Sequence, residues 1–231
     1  MPAAENPTVA MVEVAYRHHA VHARYITCEI APAVLGDAVN TVVRRGDRWV
    51  GENTDGRGFV ESLREVADPA GKRIVMFGAG GAARAVAVEL ALAGASRIVV
   101  VNRSEERAAP LVALINERTK ASAEFVKWPP GYRIPRDADI VINATSIGLF
   151  PDVGGRPDID ADSLRPSMVA ADLIPNPPRT LFLGEAAARG CRTIDGLAML
   201  VNQGVLGIKY WTGVDADPAV MRKALADVLG V

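Results

Sequence analysis

A short apolar run that opens directly onto glycines constrains this chain more than any other feature. Arg73-Ile-Val-Met-Phe77 is followed at once by Gly78-Ala79-Gly80-Gly81-Ala82-Ala83-Arg84-Ala85, and helix-forming residues continue from there. A strand that turns tightly into a helix leaves backbone amides pointing outward at the positive end of the helix dipole, which is where a pyrophosphate binds. Gly78 suits the tight turn. Gly80 and Gly81 let the backbone approach the anion, with Ala79 and Ala82 completing the loop and small Ala83 at the helix-packing position. The run reads as a dinucleotide cradle.

Three further segments repeat the strand pattern: Arg97-Ile-Val-Val-Val101, Asp139-Ile-Val-Ile-Asn143 and Met168-Val-Ala-Ala-Asp-Leu-Ile174. Near-continuous apolar strands indicate a sheet covered on both faces, hence parallel βαβ construction. Helices are expected over 80–94, 104–118, 180–189, 198–211 and 217–229, with Gly94 and Gly190 at C-cap positions. The fold class is therefore α/β, a Rossmann-type parallel sheet with helices on both faces. Before Arg73 the pattern differs: a helix over Thr8–His19, a strand over Arg24–Ile30, and the start of another helix from Pro32. A hairpin follows, turning at Arg45-Gly46-Asp47, then a helix over Gly56–Ala67 and the linker Asp68-Pro69-Ala70-Gly71.

Cofactor choice follows from the end of the second apolar strand. A site for NAD usually carries a carboxylate there for the ribose hydroxyls. This chain offers Asn102-Arg103-Ser104 with Arg107 one helical turn on, and guanidinium groups suit the 2′-phosphate of NADP. Ser104 also reads as an N-cap, with Glu105 and Glu106 in the first turn, and the two roles are compatible.

The formal net charge of −1 on 231 residues, 23% of them charged, gives no reason to expect a nucleic-acid or membrane partner. Cys28 and Cys191 lack metal-ligand spacing and read as reduced thiols, so no metal centre is expected. His18, His19 and His22 have no carboxylate or nucleophile in register. The N-terminal residues lack a basic region followed by an apolar stretch, and the most apolar helical run contains Arg84 and Glu89. The expectation is a soluble, cytoplasmic protein.

Seven motifs occur here in the order found in shikimate dehydrogenases, which the chain resembles from about residue 39 onward. They are Asn40-Thr41-Val-Val, Gly51-Glu-Asn53-Thr54-Asp55-Gly56, the Gly78–Ala85 loop, Asn102-Arg103-Ser104, Asn143-Ala-Thr145-Ser146-Ile-Gly148, Asp172-Leu-Ile-Pro-Asn176-Pro177 and Asp195-Gly196-Leu-Ala-Met199-Leu-Val-Asn-Gln203-Gly204. The resemblance implies NADPH-linked reduction of 3-dehydroshikimate to shikimate, or the related quinate reaction, on the route to aromatic amino acids. It implies Asp55 as a catalytic residue and Asn40 and Gln203 as ligands of substrate hydroxyls. Thr145, Ser146, Gly196 and Met199 would border the nicotinamide. Read from its neighbours alone, Asp55 is a turn former, and a Met at position 199 serves core packing equally well.

The resemblance also implies a catalytic Lys in an Asn-x-Thr-x-Pro-x-Lys-like segment, which this sequence lacks. Asp37-Ala38-Val39-Asn40 runs directly into the Asn40 motif. None of Lys72, Lys120, Lys127, Lys209 or Lys223 lies in a matching context. The family's Ser-x-Ser pair for the substrate carboxylate is replaced around Asn6-Pro7-Thr8, leaving Thr8 as the nearby hydroxyl, and the usual Tyr is Pro175. The expected organisation is a truncated substrate domain over 1–67, an NADP-binding domain over 68–197 and C-terminal helices over 198–231 packing back. Two readings stay open: an oxidoreductase acting as monomer or homodimer on a small molecule of the shikimate or quinate class, and a non-catalytic NADP-binding protein.

Overall fold

The computed structural model describes residues 7–23 and 39–230. Helix α1 (Pro7–His18) opens them, one residue from its expected span. The strand expected over Arg24–Ile30, the helix start at Pro32 and Cys28 lie outside the described residues. The hairpin forms as expected, with β1 (Thr41–Arg45) antiparallel to β2 (Arg48–Glu52) and Thr41 paired with Glu52. Helix α2 (Thr54–Arg64) begins two residues earlier than its apolar periodicity suggests, because the Asn53 side chain caps it by accepting from the Asp55 amide. Asp55 therefore stands in the first helical turn, where a carboxylate meets the positive end of the dipole, rather than in a turn before it.

From Arg73 onward the chain alternates strand and helix: β3 (Arg73–Phe77), α3 (Gly81–Leu92), β4 (Arg97–Asn102), α4 (Glu105–Arg118) and β5 (Ser122–Lys127). The short strands β6 (Tyr132–Arg133) and β8 (Ile159–Asp160) pair with each other. Strand β7 (Ile140–Asn143) lies between them in sequence, and β9 (Val169–Asp172), α5 (Leu181–Ala188) and β10 (Arg192–Ile194) follow. Six strands form one sheet in the order β10-β9-β7-β3-β4-β5, every pair parallel. The chain leaves β3 on one side and returns to its other side at β7, so the order reverses between these two strands. The crevice at their carboxyl ends is where open α/β sheets bind ligands.

Strands β5 and β10 are not among the segments that the apolar pattern marks as strands. Ser122-Ala-Glu-Phe-Val-Lys127 is an edge strand buried only in part, and its mixed pattern carries no continuous apolar signal; β10 has three residues.

One core fills the face between the sheet and α2, α3 and α4, with Phe59, Leu63, Leu90, Ile98 and Leu111 buried in it. A second covers the opposite face around Phe77, Val101, Tyr132 and Phe182. There the Phe77 ring lies 4.8 Å from Trp128 and 5.6 Å from Tyr132, centroid to centroid. A third joins α1 to α6 (Gly196–Thr212) and α7 (Pro218–Leu229) through Met11, Leu197, Met221 and Leu225. Among the described residues no helix is long and apolar enough to cross a membrane.

Candidate active site at the carboxyl edge of the sheet

The glycine loop leaves β3 at Phe77, and Gly78 adopts φ +106°, a conformation that disfavours any side chain. A β-carbon there would also stand 2.6 Å from the Ala144 carbonyl oxygen, so the loop after β7 passes directly over the turn. Gly80 N-caps α3 with no side-chain bond, and space is open in front of both Gly80 and Gly81. The amides of the first turn of α3 thus face open space in front of the two glycines, which suits an anionic pyrophosphate.

At the end of β4, Asn102 donates to the Ser104 carbonyl at 2.8 Å and shapes the turn into α4. Ser104 occupies the N-cap position without making a side-chain capping bond, which leaves its hydroxyl for a ligand. Arg103 and Arg107 are exposed and form no ion pair among the described residues. Arg103 lines a cavity of about 240 Å³ with Trp128, Ile147 and Arg156. The strand end itself carries no carboxylate, although Asp158 lines the same cavity, and the two guanidinium groups with the Ser104 hydroxyl fit a 2′-phosphorylated adenosine. Trp128, whose indole packs on Phe77 and donates to the Asp158 carbonyl at 3.0 Å, follows directly on β5 and carries no signal in the sequence.

The residues expected on the substrate side converge from three separate parts of the chain. Asn40 precedes β1, Thr54 and Asp55 open α2, and Gln203 lies two turns into α6. Thr54, fully buried at 0% exposure, is their meeting point. Its amide donates to Asn40 Oδ1 at 2.8 Å, and Asn40 Nδ2 donates to its hydroxyl at 3.1 Å. The hydroxyl lies 3.3 Å from Gln203 Oε1, and Gln203 Nε2 donates to the Leu200 carbonyl at 3.0 Å. In the sequence Thr54 is one residue of the Asn53-Thr54-Asp55-Gly56 motif with no role of its own, because its burial and its partners are set by distant segments. Asp55 is half-buried, and desolvation pushes its carboxyl above the usual range while a hydrogen bond from Asn40 pulls it back.

Close packing ties this cluster to the cradle. A β-carbon on Gly56 would meet the Ala85 carbonyl of α3 at 2.3 Å, and one on Gly58 would meet the Gln203 amide nitrogen at 2.6 Å. Helix α2 is thus wedged between the cradle helix and the helix that bears Gln203. Gly196 begins α6 against the Ile174 carbonyl, just past β9, so α6 starts at the sheet's carboxyl edge.

Thr145 lies in the loop over Gly78, with its hydroxyl donating to Asn143 Oδ1 at 2.7 Å, and Ser146 follows it. Met199 packs in the core between sheet and helices, with its carbonyl against Gly58. Thr8 is buried in the first turn of α1. Lys72 pairs with Asp139 at the amino edge of the sheet, and Lys209 with Asp215 at the end of α6. Among the described residues no three His, Cys, Asp or Glu side chains form a group able to hold a metal.

Comparison with known proteins agrees with this geometry. Residues 61–149 match the shikimate/quinate 5-dehydrogenase family, and residues 196–226 match the shikimate 5′-dehydrogenase C-terminal domain. Shikimate dehydrogenase (NADP(+)) of Desulforamulus reducens is 45% identical over 203 residues, covering 85% of this chain and 69% of that protein. Ligand-free 5-ketofructose reductase of a Gluconobacter species superposes with a TM-score of 0.92 at 44% identity, over 99% of this chain and 96% of that one. Shikimate 5-dehydrogenase of Thermus thermophilus, solved with NADP(H) and shikimate, gives 0.79 at 29% identity, over 99% and 97%. With a parallel Rossmann-type sheet, a glycine cradle and matching segments from residue 61 to residue 226, the chain belongs to the shikimate/quinate dehydrogenase family of oxidoreductases.

Proposed function

We propose that this chain is an NADP-dependent oxidoreductase interconverting a ring ketone and its secondary alcohol, 3-dehydroshikimate and shikimate or their quinate analogues. The observation that carries the reading is the wedge of α2, which sets Asp55 one residue from the point where Gly56 meets the cradle helix at Ala85. Proton donor and cofactor cradle are thereby held as neighbours.

The nicotinamide, when bound, supplies or accepts the hydride. The protein's share is positional and protolytic. Asp55, with its carboxyl raised by burial, exchanges a proton with the substrate oxygen. Asn40 and Gln203 each offer a donor and an acceptor to substrate hydroxyls, and Thr54 locks both amides in orientation. Gly78, Ala79, Gly80, Gly81 and Ala82 take the pyrophosphate. Arg103, Arg107, Asn102 and Ser104 take the 2′-phosphate end, and Thr145, Ser146, Gly196 and Met199 border the nicotinamide. Without the family's Lys, Asp55 acts alone, and the expected rate is lower by about 10²–10⁴-fold, the usual contribution of an acid/base group.

The fold shared with 5-ketofructose reductase favours a second reading, reduction of a keto sugar. Such a substrate carries no carboxylate, which agrees with Pro175 and with the single hydroxyl of Thr8 where the family pattern has carboxylate ligands. One assay decides: NADPH oxidation with 3-dehydroshikimate, 3-dehydroquinate and 5-ketofructose side by side. Turnover of a dehydrocyclitol carboxylate supports the first reading, turnover of the sugar alone the second. NADPH binding with no turnover of any of the three would leave the protein a nucleotide binder.

A further inference from the structure

The last residues of β7 and β9 are Asn143 and Asp172, paired across the sheet and buried at 0% and 1% exposure. A carboxylate has been drawn into the core here with no cation beside it among the described residues, and what surrounds it is a set of hydrogen-bond donors. Asp172 Oδ1 accepts from the Ile174 amide at 3.0 Å, and Oδ2 accepts from the Thr180 hydroxyl at 2.7 Å. Asn143 Nδ2 donates to both oxygens, at 3.2 and 3.1 Å.

The direction of each bond follows from the fixed donors. The Leu183 amide donates to the Thr180 hydroxyl, so the hydroxyl proton goes to Asp172. A carboxylate that only accepts forces Asn143 to turn its amino group inward and its carbonyl outward. That outward carbonyl, Oδ1, receives both the amide of Thr145, at 3.1 Å, and its hydroxyl, at 2.7 Å. The Thr145 hydroxyl in turn accepts from the Ile147 amide at 3.1 Å, and Asn143 Nδ2 also reaches the Ile147 carbonyl at 3.3 Å. The chain of bonds runs from α5 through Asp172 and Asn143 into the loop that lies over Gly78.

We propose that Asp172 is a positioning residue for the nicotinamide half of the cofactor: its carboxylate fixes the Asn143 amide, and through it the Thr145–Gly148 loop. This rests on the reading of that loop as the nicotinamide border. Asp172 itself is buried at 1% exposure and acts through Asn143. An Asn at 172 would present an amino group where an acceptor is required and drive the Asn143 amide to reverse. Its amino group would then face the Thr145 amide, donor against donor, and the loop would lose its anchor. Burial raises the Asp172 carboxyl to about 6, against hydrogen bonds from Thr180, Asn143 and Ile174, so at neutral pH the acceptor-only form is present.

The test compares two probes on the same protein: NADPH, read through the fluorescence of its reduced nicotinamide, and 2′,5′-ADP, which carries only the adenosine half. In Asp172→Asn, NADPH affinity is expected to fall roughly tenfold or more, with loss of the nicotinamide fluorescence enhancement. The 2′,5′-ADP affinity is expected to stay within about twofold, which also reports an intact fold. Thr180→Val, which removes a donor to Asp172 together with the N-cap of α5 and leaves Asn143 and the Thr145–Gly148 loop unaltered in sequence, should shift the same pair of affinities in the same direction and by less. If Asp172→Asn bound both probes as the wild type does, or lost both equally, the inference would be wrong and the NADP reading would stand. A wild-type protein that bound neither probe would remove the NADP reading and this inference together.

Discussion

Gly58 and Gln203 touch backbone to backbone: a β-carbon at position 58 would stand 2.6 Å from the Gln203 amide nitrogen and 3.0 Å from its Cα. These atoms belong to the α6 main chain, so they cannot move aside as a flexible side chain would. Gly58→Ala should push α2 off α6, with a cost of about 1–3 kcal/mol typical of overpacking. Because Thr54 on α2 bonds Gln203 on α6, the same displacement should weaken substrate binding more than NADPH binding. Urea unfolding and the two dissociation constants check this. Unchanged stability would show that α2 and α6 can separate at no cost.

The preference for a 2′-phosphate should reside largely in Arg103. A hydrogen bond to a charged group contributes about 1.5–3 kcal/mol, so Arg103→Ala is expected to weaken NADPH binding by roughly ten- to a hundredfold and leave NADH nearly unaffected. Fluorescence titration with both nucleotides gives the answer, and equal losses for the two would remove Arg103 from the 2′-phosphate site.

Asp55 should carry whatever acid–base catalysis the chain performs. Asp55→Asn preserves shape and the helix start, since the capping bond is made by Asn53 to the residue 55 amide. The turnover number should drop about 10²–10⁴-fold with little change in NADPH affinity. Full residual turnover would return Asp55 to a purely structural role in the first turn of α2.

Burial of Asp172 has a consequence for stability as well as for binding. Its carboxyl stands at about 6 in the folded protein against 3.8 in the open chain. The folded state therefore holds this proton in a range where the unfolded chain has released it. The resulting stabilisation is fully present below 3.8 and is lost as pH rises through about 6. Its size is about 3 kcal/mol, from roughly two units of difference. Asp55, raised by its own burial, acts in the same direction. The stability of wild type minus that of Asp172→Asn should accordingly fall between about pH 4 and 7.5, measured by urea unfolding. Parallel curves for the two proteins would mean that Asp172 titrates as an ordinary surface carboxylate.

The Rossmann-type sheet, its glycine cradle and the NADP expectation were legible in the linear chain. Each rests on a local rule: a continuous apolar strand is buried on both faces, and a glycine turn into a helix exposes amides. Most helices fall within two residues of their expected ends for the same reason. The resemblance to shikimate dehydrogenases likewise implied Asn40, Asp55 and Gln203 as parts of one site.

Three things came only from the tertiary structure. Edge strand β5, and with it Trp128, has a half-buried pattern that local sequence does not separate from a loop. Thr54 is a hub because residues far apart in sequence deposit their amides on one hydroxyl. Asp172 became a positioning candidate only when strand register set it beside Asn143 and burial stripped it of water. Hydrogen-bond partners and desolvation depend on which segments meet in space, and an ionisable side chain acquires its chemistry from those neighbours. The composition of its own segment says little about them.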